Sequence, residues 1–333
     1  GTGGTGGYGS AYPGGTGGTG GVATISNSYA SSGLVTAPGG SINVGGLVGL
    51  NAIGATGASG GGILPGAGGA GGIASVTGSF WDTVSSGQAT SAAGIGMVTA
   101  DFMALANFNS ATVANGLSNP FWDISATGGA ATVWRIYDGN TMPMLTAFLT
   151  PATVTASDAL KTYDGLAYSG GNGYIASVAA TYGGGLLGTP VYGGTSQGAT
   201  NAGSYAISAS GLYSDQFGYD ITGYVDGTLT VDPKVVALSG SKTYDGTAIF
   251  TGGTDLFVST GVGTETLVLS GTSSTFDKNV GNTDLLDLGT LALTDGTGLA
   301  SNYILTGTGL TGTISITPRA LTGASIAAVN TTY

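Results

Sequence analysis

Lys161-Thr162-Tyr163-Asp164-Gly165 returns as Lys242-Thr243-Tyr244-Asp245-Gly246, and Asn330-Thr331-Thr332-Tyr333 spells the start of a third copy. Tyr163 and Tyr244 stand 81 residues apart and Tyr333 follows after 89. Self-similarity at that spacing marks one structural unit used in tandem. A proline precedes each copy, in Leu149-Thr150-Pro151, Val231-Asp232-Pro233 and Ile316-Thr317-Pro318. Ahead of the second and third prolines run Gly227-Thr-Leu-Thr-Val-Asp232 and Gly312-Thr-Ile-Ser-Ile-Thr317, whose alternation turns every second residue toward a core. Proline donates nothing to a ladder, so it belongs where one unit's strand ends and the next unit begins. Further strands are predicted at Ser204–Ala209, Thr266–Ser270 and Asn302–Thr306. The motif itself reads as structure: Asp-Gly forms a tight turn, the tyrosine packs across a sheet and the lysine shields an edge.

The composition agrees with an all-β chain. Gly supplies 67 of 333 residues and charged residues only 7%, against about 25% in ordinary globular domains. Apolar residues make up 41%, interleaved with Thr, Ser and Gly, a mixture that favours short strands and tight turns over helices. The net charge of −11 comes with six basic residues in all, too few to track a phosphate backbone, so nucleic acid is excluded as a partner. There is no Cys, hence neither disulfides nor thiolate metal sites. No run reaches the roughly 18 apolar residues that a membrane-spanning helix needs, and no signal peptide opens the chain, which reads as an excerpt of a longer protein.

Residues 1–148 divide in two. In residues 1–79 short β-prone segments, Val22–Ala30, Ser41–Asn51 and Ile73–Asp82, alternate with glycine runs at 1–21 and 60–72. A flexible linker and a glycine-rich loop thrown out from a repetitive β-structure compete for these runs, and the recurrence of the insert favours the loop. Residues 80–148 hold all three tryptophans and all four methionines. There Thr99–Phe108 is predicted as a helix, with Thr99 as N-cap, Asp101 in its first turn and Phe102 and Leu105 on one face. Such a dense segment suits the closing end of a repeat array. Trp81, Trp122 and Trp134 are the candidates for a sugar-stacking platform, set against burial in that end.

The spelling Val44-Gly-Gly-Leu-Val-Gly-Leu-Asn51, with Asn27-Ser-Tyr-Ala30, resembles the GLUG repeats of filamentous-haemagglutinin-like bacterial adhesins, and Phe80-Trp-Asp82 through Val133-Trp-Arg-Ile-Tyr-Asp-Gly-Asn-Thr-Met-Pro-Met-Leu145 resembles the segment that follows them. Lys161–Gly165, Asn201-Ala-Gly-Ser-Tyr-Ala-Ile207, Gly227–Val231 before proline, and Ser301-Asn-Tyr-Ile-Leu305 resemble the YDG and MBG domains of the same kind of protein. The second unit departs from the first, with Asp284-Leu-Leu-Asp287 standing in for Asn201–Ile207. The resemblance implies a right-handed parallel β-helix over 1–79, an aromatic-rich cap over 80–148, small β domains of sandwich or β-grasp type at 149–232 and 233–317, and the first strand of a third at 318–333. It also implies an extracellular, cell-surface location and an outer-membrane secretion partner.

Chemistry finds little to work with. Histidine is absent, which removes the commonest general base, the Ser/His triad and the usual zinc ligand. Gly57-Ala-Ser-Gly-Gly61 and Gly66-Ala-Gly-Gly-Ala-Gly71 spell a nucleophile elbow and a dinucleotide fingerprint without the histidine or the helix those motifs need. Residues 1–120 carry Asp82 and Asp101 as their whole complement of charge, too little for a polysaccharide-cleaving β-helix. The sequence therefore predicts no catalytic, cofactor or metal residues. It points to a non-enzymatic structural and adhesive rod whose partners are glycans, a host or neighbouring cell surface, or further copies of itself. A self-assembling extracellular fibre and, far behind, a polysaccharide-active enzyme are the rivals.

Overall fold

The computed structural model describes residues 22–31, 33–36, 45–49, 73–177, 185–215, 218–306 and 313–323. Both glycine runs, the two ends of the Val44–Asn51 motif and the third repeat's Tyr333 lie outside the described residues. Strands make up 40% of the described residues and helices 7%, so the described part is mostly β, as the composition predicts. The chain divides into two compact units: Gly1–Thr153 with Ala176–Thr189 and Leu212–Gly223, and Val154–Ile175 with Pro190–Gly211 and Tyr224–Tyr333.

The first unit opens with parallel pairing. Val22–Ser26 pairs with Ile73–Thr77, Val22 opposite Ile73, and Tyr29–Ala30, Phe80–Asp82 and Ile95–Met97 form a parallel three-stranded sheet in that order. Short strands that return in parallel after long excursions leave large side chains on one side. Phe80, Met97, Phe102, Phe108, Trp122 and Ile136 meet there as a buried core, with Phe80 edge-on to Phe108 at 5.7 Å between centroids. Gly46, inside Val44–Asn51, is fixed by close approach: a Cβ at that position would stand 1.8 Å from Cδ1 of Trp81.

The predicted helix at Thr99–Phe108 is two pieces, a 3-10 turn Asp101–Met103 and a single α turn Ala106–Asn109, separated by extended Ala104 (φ −99°, ψ 114°). Distant and local side chains take the bonds a continuous helix would use. Asp138 Oδ1 accepts the Leu105 N–H at 2.9 Å, and Asn107 Nδ2 donates to Asp101 O at 2.8 Å. Nor does Thr99 cap it; its hydroxyl donates to the buried Asp82 carboxylate. Asp82 is itself an N-cap, accepting from the N–H groups of Val84 and Ser85 at the head of Thr83–Ser86. Burial pushes the Asp82 carboxyl up, but the Thr99 hydroxyl and those N–H groups together hold it below the ordinary aspartate value.

In the second unit the sheets are mixed, with one plan drawn twice. Ala159–Thr162 lies parallel to Gly227–Asp232, which pairs antiparallel with Gly203–Ser210 and through it reaches Val191–Gly193. Eighty-odd residues on, Ala237–Thr243 lies parallel to Ile314–Thr317, which pairs antiparallel with Gly281–Thr283, while Leu256–Ser259 adds to the other edge. The predicted alternation holds in both pre-proline strands: Leu229, Val231, Ile314 and Ile316 are buried while Thr228 and Asp232 face outward. Register also corrects the alignment of the two repeats. Gly203 stands opposite Val231 and Gly281 opposite Ile316, so Asn201-Ala202-Gly203 corresponds to Asn279-Val280-Gly281 rather than to Asp284–Asp287. Both glycines take the same unusual backbone, φ 153° and 143°, which only glycine adopts without strain.

Candidate functional site

Each Lys-Thr-Tyr-Asp-Gly copy closes as the same clip. The strand carrying the lysine runs parallel to the pre-proline strand, with Thr162 opposite Asp232 and Thr243 opposite Thr317. The tyrosine N–H then donates to that partner, Tyr163 to Asp232 O and Tyr244 to Thr317 O, both at 2.8 Å. The chain turns at Gly165 (φ 76°) and Gly246 (φ 84°), conformations that penalise a Cβ. Across each turn the lysine reaches the aspartate, Lys161 Nζ to Asp164 Oδ1 at 2.8 Å and Lys242 Nζ to Asp245 Oδ1 at 2.9 Å. The same aspartate oxygen accepts the N–H two residues on, from Leu166 and Thr247.

The lysine therefore fastens the turn; the strand of Lys161 is also a sheet edge, whereas that of Lys242 lies inside its sheet and leaves the lysine no edge to shield. Lys242 is 7% exposed, and its Nζ also donates to Thr247 Oγ1 and Ile249 O, each at 2.8 Å. Lys161 Nζ donates to Leu166 O. These contacts commit the lysine and one aspartate oxygen to the turn, and among the described residues no three of His, Cys, Asp and Glu converge on a point. The Lys242 ammonium, then the Thr247 N–H and hydroxyl, hold the Asp245 carboxyl down to about 2, and Lys161 with the Leu166 N–H lowers Asp164 in the same way.

A carboxyl whose folded value lies below its unfolded one adds stability above the unfolded value, near 3.9, and that stability fades as pH falls through the folded value, about 2. Asp245→Asn is thus expected to lose stability at neutral pH and to flatten the acid limb. Thermal melts taken from pH 6 downward check this: the gap between natural chain and variant narrows across that window, and a constant gap refutes the clip's electrostatic part.

The tyrosine is what differs between the copies. Tyr163 is 5% exposed and Tyr244 37%. Tyr163 packs edge-on to Tyr303, centroids 5.2 Å apart, and both hydroxyls donate to one carboxylate, Tyr163 to Glu265 Oε1 at 2.7 Å and Tyr303 to Oε2 at 2.6 Å. Burial, and after it the Glu265 carboxylate, pushes the ionisation of both phenols to higher pH. Asn302 completes this joint, its Oδ1 accepting the Ala202 N–H at 2.8 Å and its Nδ2 donating to Asn201 Oδ1 at 3.0 Å.

The same spelling occurs in the first unit, where Tyr137-Asp138-Gly139 also has its glycine at positive φ, 78°, but closes differently: Asp138 Oδ1 accepts the Leu105 N–H, and the N–H groups of Asn140 and Thr141 donate to Tyr137 O. Tyr137 is 7% exposed; its hydroxyl donates to Tyr219 O at 2.7 Å and accepts the Ile221 N–H at 2.9 Å. Arg135 lies over its ring at 4.0 Å and pairs with buried Asp220 at 2.8 Å. Glu265, Arg135 and Asp220 carry no sequence motif. Their one signal is rarity, Glu265 being the sole glutamate and Arg135 one of two arginines.

The tryptophan candidates lie inside the first unit. Trp81 and Trp122 are 6% and 5% exposed and Trp134 is half-buried. Trp122 and Trp134 stack at 4.9 Å with Tyr29 against both, while Trp81 sits apart with its Nε1 donating to Gln88 O. Trp81 and Trp122, enclosed to this degree, offer a sugar no open face. Set beside known protein families, curated proteins and solved structures, the chain matches none.

Proposed function

We propose that this chain is a non-enzymatic structural and adhesive segment of a large exported bacterial surface protein, in which a stack of parallel coils with an aromatic cap leads into tandem YDG/MBG-type β domains. The observation that carries this reading is the duplicated clip: two copies of one motif close the same way and enter the same register against the strand before a proline. A catalytic motif has no reason to return with its lysine and aspartate spent on each other, whereas a modular stalk has every reason to reuse its fold. The parallel pairing of Val22–Ser26 with Ile73–Thr77 supports stacked coils in residues 1–79, and that of Tyr29–Ala30 with Phe80–Asp82 joins them to the start of the cap. A surface of Thr, Ser and Tyr with few charges suits contact with glycans or with neighbouring fibres.

Stretching the full chain between its ends tests the mechanical part. Two domains of about 80 residues each predict two late force peaks separated by contour gains of roughly 250–290 Å, at about 3.3–3.6 Å per residue. A featureless extension over residues 149–317 would overturn the tandem-domain reading.

A further inference from the structure

The second repeat carries, unoccupied by any described residue, the surface that the first repeat uses to seat its successor. In the first repeat that surface is the Tyr163 ring, the Ala202 N–H and the Asn201 side-chain oxygen. Asn302 and Tyr303 at the head of the strand Tyr303–Ile304 fill it. Sheet register assigns the counterparts in the second repeat without ambiguity: Tyr163 corresponds to Tyr244, Asn201 to Asn279 and Ala202 to Val280. Tyr244 is 37% exposed and Val280 51%, where Tyr163 is 5% exposed and Ala202 is half-buried. The cap's own Tyr-Asp-Gly obeys the same rule, Tyr137 being closed over by the backbone of Tyr219 and Ile221. Two of three Tyr-Asp-Gly tyrosines are thus covered by a strand that begins with tyrosine, and the third is open.

We infer that the face formed by Tyr244, Asn279 and Val280 is a docking site for one further module of this same repeat, entering with an Asn-Tyr strand start. The incoming asparagine takes the Val280 N–H and the Asn279 side-chain oxygen, and the incoming tyrosine lies edge-on to Tyr244. The partner's chemistry follows from the filled copy: an amide side chain able to accept and donate at once, an aromatic ring, and a carboxylate placed as Glu265 is to bind the two phenols. Burying the half-exposed tyrosine and valine supplies the apolar part of the contact. Because the face is rebuilt by each repeat, one such joint leads to the next, and the array grows by addition of identical parts. The inference uses the tandem reading only to name the occupant.

Pro318 holds the place of Pro233, so a chain in which residues 234–333 are repeated after Pro318 presents the proposed partner in register. Nitration with tetranitromethane, mapped by peptide mass spectrometry, reads the exposure of each tyrosine. In the natural chain Tyr244 is expected to react and Tyr163 to resist. In the extended chain Tyr244 falls to the reactivity of Tyr163, and the open position moves to the added copy's own Tyr244. Changing the added copy's Asn302→Leu together with its Tyr303→Ala restores reaction at Tyr244. Tyr244 remaining as reactive in the extended chain as in the natural one, whether or not the added copy folds, overturns the docking site. That outcome would leave the two force peaks of the tandem reading untouched, so the two ideas fail separately.

Discussion

Arg135→Met is expected to remove about 3–5 kcal/mol from the stability of the first unit, the range for breaking a buried ion pair by taking away one partner. Arg135 and Asp220 are each 4% exposed. The guanidinium Nε donates to Asp220 Oδ1 at 2.8 Å, and Nη1 donates to Ala126 O at 2.7 Å and to Ile136 O. Asp220 Oδ2 accepts the Gly129 N–H at 2.7 Å, its one partner among the described residues. Methionine keeps most of the stem's volume but leaves a buried carboxylate with one backbone donor, and it also removes the cation lying 4.0 Å over the Tyr137 ring. A loss of that size is a large part of the 5–15 kcal/mol that usually holds a domain together. All three tryptophans lie in this unit, so denaturant unfolding followed by tryptophan fluorescence reports on it alone. Arg135→Met with Asp220→Leu recovers much of the loss, since the cost belongs to the orphaned charge rather than to the absent pair. A single-variant loss below about 1 kcal/mol would show the pair to be solvated and unimportant.

What the sequence discloses, and what it keeps back, follows from the range of the interactions. The strands before Pro233 and Pro318 are legible because alternation is a local property and Leu229, Val231, Ile314 and Ile316 obey it. The Asp-Gly turn is legible for the same reason. The helix at Thr99–Phe108 looks sound locally and fails because Asp138, more than thirty residues away, takes the Leu105 N–H; propensity is a weak prior against such a partner. The match of Asn201-Ala-Gly to Asn279-Val-Gly is hidden by the Asp284-Leu-Leu-Asp287 stretch nearby. What the repeats share there is a glycine backbone angle, 153° and 143°, and a sequence shows that only as one more glycine among 67. The roles of Arg135 and Glu265 are set by partners 85 and 102 residues distant. No window along the chain contains both ends, and only the scarcity of charge singles these residues out.

That scarcity makes Glu265 the second residue where a single change has a large effect. Glu265→Ala strands the hydroxyls of Tyr163 and Tyr303, both 5% exposed, and each buried donor left without an acceptor costs about 1–3 kcal/mol. The expected loss in the second unit is therefore about 2–6 kcal/mol from those hydroxyls. Glu265→Gln retains one carbonyl acceptor at nearly the same volume and is expected to cost about half as much or less. Denaturant unfolding followed by circular dichroism orders the three chains, and an alanine variant no weaker than the glutamine one refutes the shared-acceptor account. Alkaline pH gives a second, independent reading. Burial first, and the Glu265 carboxylate after it, raise both phenols above their unfolded value near 10. The native state then holds protons that the unfolded chain releases, so the contribution is complete below about pH 10 and declines as pH rises beyond it toward the folded values. The natural chain should lose stability with pH more steeply above that point than Glu265→Gln does, because the amide removes the charge that opposes the phenolates while leaving them buried. Tyrosinate absorbance taken beside the unfolding curve tests the assignment: two of the sixteen tyrosines ionise only as the fold opens, and their ionisation at ordinary pH in the intact protein would place neither phenol at a closed joint.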